Sequence, residues 1–199
     1  MTYVKASVRR PAGNPGNGIQ PKDQLVIYDV DDILSFPPRN DAGVVIEEDI
    51  VMKAGRYAIG IYLTPGTAEI SSNSDGETDA EGYTPSIKFN HPGNEQEIRE
   101  FKTNWLSKKC IVVLRYCSGK PADLIGTPCN PCKLSVSYTG SNESNTNELT
   151  FTQISKGDDI AIYRGTDTLE EPVAVVEAGA TDIDYQTDGQ YQLSAGAAK

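Results

Sequence analysis

The sequence predicts a mostly β fold, a β-sandwich or curled barrel with one amphipathic helix at about residues 94–108 and long loops or arms. Three observations carry this. Short apolar runs recur along the chain, many alternating with polar residues, and turn residues separate them. Tyr outnumbers Phe ten to four, and Val, Ile and Thr are plentiful; these types suit a pleated, half-buried surface. Eighteen Gly and twelve Pro supply the turns that many short strands need. With 199 residues the chain has the length of one domain, able to bury a core without disulfides or metals.

Residues 2–10 alternate loosely, as a strand does. Residues 11–21, rich in Pro, Gly and Asn, are turn punctuation. Leu25–Val30 is a short apolar run, and Phe36–Gly43 is irregular. Strands are expected at Val44–Glu47 and at Tyr57–Leu63, where Tyr57, Ile59 and Ile61 alternate with Ala58, Gly60 and Tyr62. Residues 71–82 have no periodic apolar content and read as a polar loop. Ser86–Phe89 and Cys110–Tyr116 read as strands, the second strongly buried. Residues 118–132 read as a Gly- and Pro-rich loop. Leu134–Tyr138 and Leu149–Ile154 alternate around a polar tip and should pair antiparallel. Ile160–Tyr163 and Val173–Val176 are two further short strands, and the tail from 181 alternates weakly.

The helix has its own signature. Asn94 can cap, and Glu97 lies three residues later, as a capping box requires. Glu95 and Glu97 suit the positive end of the helix dipole, and Lys108 and Lys109 suit the negative end. Ile98, Phe101 and Trp105, with Leu106 beside them, form one apolar stripe for packing on a sheet.

Formal net charge is −10, and the acid is concentrated in residues 29–50, 69–81 and 157–199. Such a surface does not wrap nucleic acid, because phosphate binding needs cations. It suits a surface that must not hold nucleic acid, and it suits solubility equally. No apolar run is long enough to span a membrane. The first ten residues lack the apolar stretch of a secretory signal.

The residue types that carry chemistry do not converge. Cys129 and Cys132 form a C-x-x-C, but zinc needs a second close pair. Cys110 and Cys117 have the wrong spacing and face opposite sides of a strand, so all four read as buried or loop thiols. Asp75, Glu77, Asp79 and Glu81 suggest a calcium loop. Counting from Asp75, however, Ala80 stands where that loop needs Gly and Ser86 where it needs Glu. The single histidine, His91, precedes Pro92-Gly93 and reads as a surface or capping residue rather than a general base. No nucleophile elbow, phosphate loop or dinucleotide fingerprint occurs. The expectation is a non-enzyme with neither cofactor nor metal.

From about Tyr83 to Gly165 the order of elements is strand (Ser86–Phe89), capped helix (Asn94–Ser107), strand (Ile111–Tyr116), hairpin (Leu134–Ile154), closed by Gly157–Thr166. This stretch resembles the core of bacteriophage tail tube proteins, and the whole sequence is similar in texture to virion proteins of phages infecting Bacteroidetes. The resemblance implies two packed β-sheets with one flanking helix, and subunits joined into hexameric rings. It further implies that inner sheets of a ring form one continuous barrel, that rings stack through loops and terminal arms, and that the lumen is acidic. On that pattern, 1–199 is a single tail-tube-like domain with an N-terminal arm (1–24), a best-matching core (83–165) and a C-terminal arm (181–199). Its partners would be copies of itself, other phage tail proteins and, transiently, DNA. Its place would be the virion, assembled in the host bacterial cytoplasm.

Features of the residues fit that picture separately. Open sheet edges need protection, and ring closure supplies it. The long irregular segments 11–24, 31–43 and 64–82 exceed what a compact domain needs and suit arms that order on neighbours. Glu47, Glu48 and Asp49 are the candidates for lumen acids. Two other readings stand beside this one. The first is another virion part, such as a neck, tail-completion or head decoration protein. The second is a carbohydrate- or protein-binding β module, with Tyr57, Tyr62 or Tyr138 as contact residues.

Overall fold

The computed structural model describes residues 5–117 and 119–169. Within them lie twelve strands: β1 (Pro21–Asp29), β2 (Ile33–Ser35), β3 (Val45–Ile46), β4 (Val51–Met52), β5 (Ile59–Tyr62), β6 (Glu69–Asp75), β7 (Gly82–Pro92), β8 (Cys110–Tyr116), β9 (Ala122–Ile125), β10 (Cys132–Gly140), β11 (Asn145–Gln153) and β12 (Ala161–Tyr163). One α-helix, α1 (Gln96–Trp105), lies between β7 and β8, and a single 3-10 turn, Val30–Asp32, follows β1.

The two strongest apolar runs, in β1 and β8, pair with each other antiparallel, and both are buried on both faces. Successive side chains point to opposite sides of a strand. Leu25 and Ile27 therefore enter one apolar cluster with Val112 and Leu114, while Val26 and Tyr28 enter a second with Ile111 and Val113. The first cluster is the larger. It gathers Ile87 and Phe89 from β7, Leu134 from β10, Leu149 and Phe151 from β11, and Ile98 from α1. The second is closed by Ile46, Ile50, Ala58 and Tyr163, with Ile33 and Met52 of the small β2–β4 sheet packed against it. Each fully buried aliphatic or Phe side chain contributes about 1.5–3 kcal/mol, so the two clusters account for most of what favours this fold.

Ten strands form one mixed sheet. β8 is its branch point: β1 takes one edge, β9 takes the other over Val112–Leu114, and β10 meets that second edge only at Cys110. Outward from β9 lie β12 and then β3, which runs parallel to β12. Outward from β10 lie β11, β7 and β6, all antiparallel. Two corners let the chain pass from one half to the other. Residues 63–68 carry it from β5, on β1, to β6, on β7. Leu63 N–H donates to Asp23 O at 2.9 Å, and the next amide, Thr64 N–H, donates to Asn90 O on β7 at 2.9 Å. Residues 126–131 carry it from β9 to β10. Gly126 there has φ of +93°, and a Cβ would sit 3.1 Å from Cys132 Sγ. Strands that switch sheets at bends turn a sandwich into a curled barrel, and the mostly β sandwich-like class expected from the sequence is the one observed.

Several local expectations change. The helix is Gln96–Trp105 rather than 94–108, and its N-cap is Glu95, whose side chain makes no cap hydrogen bond. Asn94 instead accepts from Lys102 Nζ at 2.9 Å, so the capping box does not form. Leu106 is exposed rather than part of the stripe, and Lys108 pairs with Asp29. Residues 71–82 are not a loop throughout. Ser71 to Asp75 belong to β6, held in register by Gly82 to Ser86 of β7, and their side chains are polar because this strand lies at a border. Residues 118–132 contain β9, which the Gly and Pro around it concealed. Residues 5–10 form no strand. Residues 2–4, the strand expected at Val173–Val176 and the arm expected at 181–199 lie outside the described residues.

Candidate functional site

The acidic segment 47–49 follows β3, which pairs parallel with β12. That pairing places 47–49 beside the residues after β12. Glu47 accepts from Arg164 Nη1 at 3.0 and 3.2 Å. Asp49 accepts from Thr166 N–H at 2.7 Å and Thr166 Oγ1 at 2.9 Å. These bonds, the backbone bond first, hold the Asp49 carboxyl below the ordinary carboxylate range. Glu48, exposed between them, makes no side-chain bond among the described residues. Two of the three candidate lumen acids thus tether a neighbouring segment, and one is available to solvent or a partner.

The tethered segment, residues 164–169, forms a strap over the second apolar cluster. At its centre the Asp167 carboxylate, 5% exposed, forms an ion pair with Arg115 and accepts from Tyr28 Oη at 2.6 Å. Arg115 also donates to Gly165 O at 2.7 Å, and its guanidinium lies 5.5 Å from the centre of the Tyr163 ring. Tyr163 Oη accepts from Ile50 N–H at 3.2 Å and donates to Thr166 O at 3.2 Å. Burial pushes the Tyr28 hydroxyl well above its ordinary value, and the bond to Asp167 adds to this. Burial acts to lower the Arg115 pKa, but the Asp167 bond and charge outweigh it and the net shift is upward. The sequence held one signal of this network. Arg115 interrupts an apolar strand, and a cation there demands a buried anion. Nothing in the sequence pointed to Asp167, fifty-two residues on, as its partner.

On the next strand, Asp123 is pushed above the ordinary carboxylate range chiefly by burial. The Tyr116 hydroxyl donates to it and opposes that shift, while the charge of Asp159 adds to it. A carboxyl whose folded pKa is raised binds its proton more tightly when folded, so stability falls as pH rises from the unfolded value of about 3.9 through the folded one. Asp123→Asn is expected to remove that decline: the variant should gain on the wild type between pH 4 and 7 in urea unfolding, and match it below about pH 3.5. A difference that does not change with pH would show that burial does not govern this carboxyl.

At the end of the larger cluster, Tyr138, Asn147 and His91 stand in one cross-strand row over β10, β11 and β7. Asn147 is fully buried; it accepts from Lys102 Nζ at 2.6 Å and donates to Gly93 O, tying α1 to the sheet. Lys102 Nζ lies 5.1 Å from the centre of the Tyr138 ring. His91 packs edge-on against Tyr62 at 6.2 Å, and burial lowers its pKa. The charge of Glu97 opposes that shift, and Nδ1 has no side-chain or backbone hydrogen-bond partner among the described residues. His91 is therefore half-buried at a strand end rather than at the surface. Ile98 is buried, and Phe101 and Trp105 are half-buried against the same cluster, their rings stacked at 5.7 Å. Of the residues named from sequence, Tyr62 and Tyr138 are exposed near this end; Tyr57 is exposed just before β5.

The C-x-x-C divides: Cys129 is exposed, whereas Cys132 is buried opposite Cys110 across the β8–β10 junction. Burial pushes the Cys110 thiol up to about 12 and raises Cys132 as well, so both stay protonated and inert. Cys117 is exposed. Among the described residues no group of three or more His, Cys, Asp or Glu side chains is placed to hold a metal ion, and no helix is long and apolar enough to cross a membrane.

No known family, curated protein or solved structure matches this chain.

Proposed function

We propose that this chain is a structural virion subunit that assembles into stacked hexameric rings, forming a bacteriophage tail tube with an acidic, DNA-conducting lumen, and that it works without catalysis or a cofactor. The observation that carries the reading is the border strand β6. It has seven residues, pairs with β7 along one edge, and has no strand on its other edge among the described residues. An edge of that length is a template for another strand, and natural proteins cover it or use it. Its polar side chains keep it from indiscriminate pairing while leaving its backbone groups available. A ring of copies, each presenting β6 to the next, supplies the missing partner and closes the edge.

The long exposed stretch before β1 and the net charge of −10 support the same reading. The test is direct. Purified protein is weighed in solution, and its large species are imaged by negative-stain microscopy; rings or tubes of uniform bore are expected. A lone molecule at high concentration, with no ring at any ionic strength, would overturn the reading. Glu48→Lys then probes the lumen: it should leave rings intact and lower infective titre. Glu47 and Asp49 are unsuited to that probe, because reversing them also releases the strap.

The second reading is a carbohydrate-binding module, favoured by the exposed rings of Tyr62 and Tyr138 flanking His91 and Lys102 at one end of the barrel. Saturable binding of a glycan, lost in Tyr138→Ala with the fold retained, would favour it over assembly.

A further inference from the structure

Two of the four cysteines face each other, and a third stands on the turn beside them. Cys110 opens β8 and Cys132 opens β10, and the two are directly opposed where those strands meet. Residues opposed in an antiparallel pair lie about 4.5–5.5 Å apart at Cα, inside the span of about 4.4–6.8 Å that a disulfide bridges. Both side chains enter the larger apolar cluster, so both sulfurs lie on the same face of the sheet. Both are free thiols, and Cys110 Sγ donates to Cys132 O at 3.4 Å. Gly126 packs against the pair. A Cβ there would stand 3.1 Å from Cys132 Sγ and 3.4 Å from Cys110 O, so the glycine leaves that sulfur its room.

Burial holds both thiols in the protonated form, so in the closed fold no outside oxidant engages them. Cys129 supplies the way in. It is exposed, on the turn 126–131, in a C-x-x-C with Cys132. Thr127 and Asn130 exchange backbone bonds across that turn, and the Asn130 side chain ties it to Ser155. Such a turn opens locally more readily than the strands it joins.

The geometry points to a redox modification site: Cys110 and Cys132 form a cross-strand disulfide within one chain, loaded through Cys129 by exchange with a small-molecule disulfide. The Cys129 thiolate attacks one sulfur of the small disulfide, which forms a mixed disulfide and releases one thiolate. When the turn opens, Cys132 gives its proton to water and attacks the Cys129 sulfur, and the second small thiolate leaves. Cys110 then gives up its proton and attacks the Cys132 sulfur, and Cys129 leaves and takes a proton back. Two protein thiols are thereby oxidised by two electrons, and the small disulfide becomes two thiols that carry off both protons. The Cys129–Cys132 bond is the intermediate, because it joins an exposed position to a core one and draws Cys132 out. The Cys110–Cys132 bond leaves both side chains in the cluster they already occupy. A reducing compartment keeps the pair open and an oxidising one closes it. Closure puts a covalent bond where β8 and β10 share a single residue pair. The bond lies within one subunit and does not rest on the assembly reading.

The test starts from the reduced full chain in oxidised glutathione at about pH 8. Unreacted thiols are then blocked in denaturant, and the chain is digested with trypsin without reduction. Trypsin cuts after Lys109 and Arg115, so Cys110 leaves on a peptide of its own. Any bond to it joins two peptides, and their fragmentation identifies the partner. The expected product is a single chain bridged from Cys110 to Cys132. Its thermal midpoint should stand roughly 5–10 °C above that of the reduced chain, and dithiothreitol should reverse the gain. Cys129→Ser should slow the bridging about tenfold or more and leave the final bond the same. Cys132→Ala should stop at the glutathione adduct of Cys129. The map is made on the unaltered chain, so a variant that fails to fold does not leave the question open. An oxidised chain with Cys110 unbridged, a final bond between Cys129 and Cys132, or bonds between chains would each overturn the inference. So would an unchanged or lower midpoint, or an undiminished rate in Cys129→Ser. Rings or tubes decide the assembly reading separately, because this bond forms or fails within one subunit.

Discussion

Asp167→Ala is expected to lower the unfolding free energy by about 3 kcal/mol. The change leaves the Arg115 guanidinium half-covered without its anion and removes the acceptor of the buried Tyr28 hydroxyl. Losing one partner of a buried pair costs about 3–5 kcal/mol, and the 27% exposure of the Arg115 side chain places this pair at the lower end. The strap 164–169 should then detach, because Asp167 is its central anchor. Urea unfolding at neutral pH measures the loss, and amide exchange at Ile50 and Ala58, whose N–H groups donate to Tyr163 and Thr168, reports the strap. Replacing both partners, with Arg115→Met and Asp167→Leu, should recover the part of the loss that comes from the unpaired Arg115 but not the part that comes from the Tyr28 hydroxyl, whose acceptor is still gone. A single-variant loss under about 1 kcal/mol would show that the pair is solvated.

Phe151→Ala is expected to cost about 3–5 kcal/mol. Phe151 is fully buried in β11 and stacks with Phe89 of β7, ring centres 6.3 Å apart and planes 11° from parallel. β11 lies between β10 and β7, so its backbone is hydrogen-bonded on both sides and cannot collapse into the space left by the ring. The denaturant midpoint should fall while its slope stays unchanged. A drop under about 1.5 kcal/mol would mean that the surrounding strands rearrange to fill the cavity.

The fold class was legible because β1, β8, β10 and β11 carry clear apolar patterns, and pattern reports which faces are buried. The hairpin of β10 and β11 was found with its pairing for that reason. β6 was missed because Ser71, Ser72, Asn73 and Ser74 have no apolar face to announce, and only the neighbouring β7 makes them a strand. β9 was missed because four residues between Pro121 and Gly126 are too few for a period. The helix was placed, but its first turn was set by Lys102 drawing Asn94 to Asn147, a contact across forty-five residues that no capping rule contains. Along the chain the acids at 47–49 are no more than a cluster of charge. Their bonds to Arg164 and Thr166 come from the parallel pairing of β3 with β12, which spacing along the chain does not encode.

Between β8 and β10 the ladder is a single residue pair, Cys110 opposite Cys132. Every other ladder between neighbouring strands of the large sheet has at least two residue pairs. At that junction backbone pairing is at its thinnest, and the two sides are joined instead by side chains, Leu25 and Val112 meeting Leu134 and Phe151 in the larger cluster, and by the turn at 126–131.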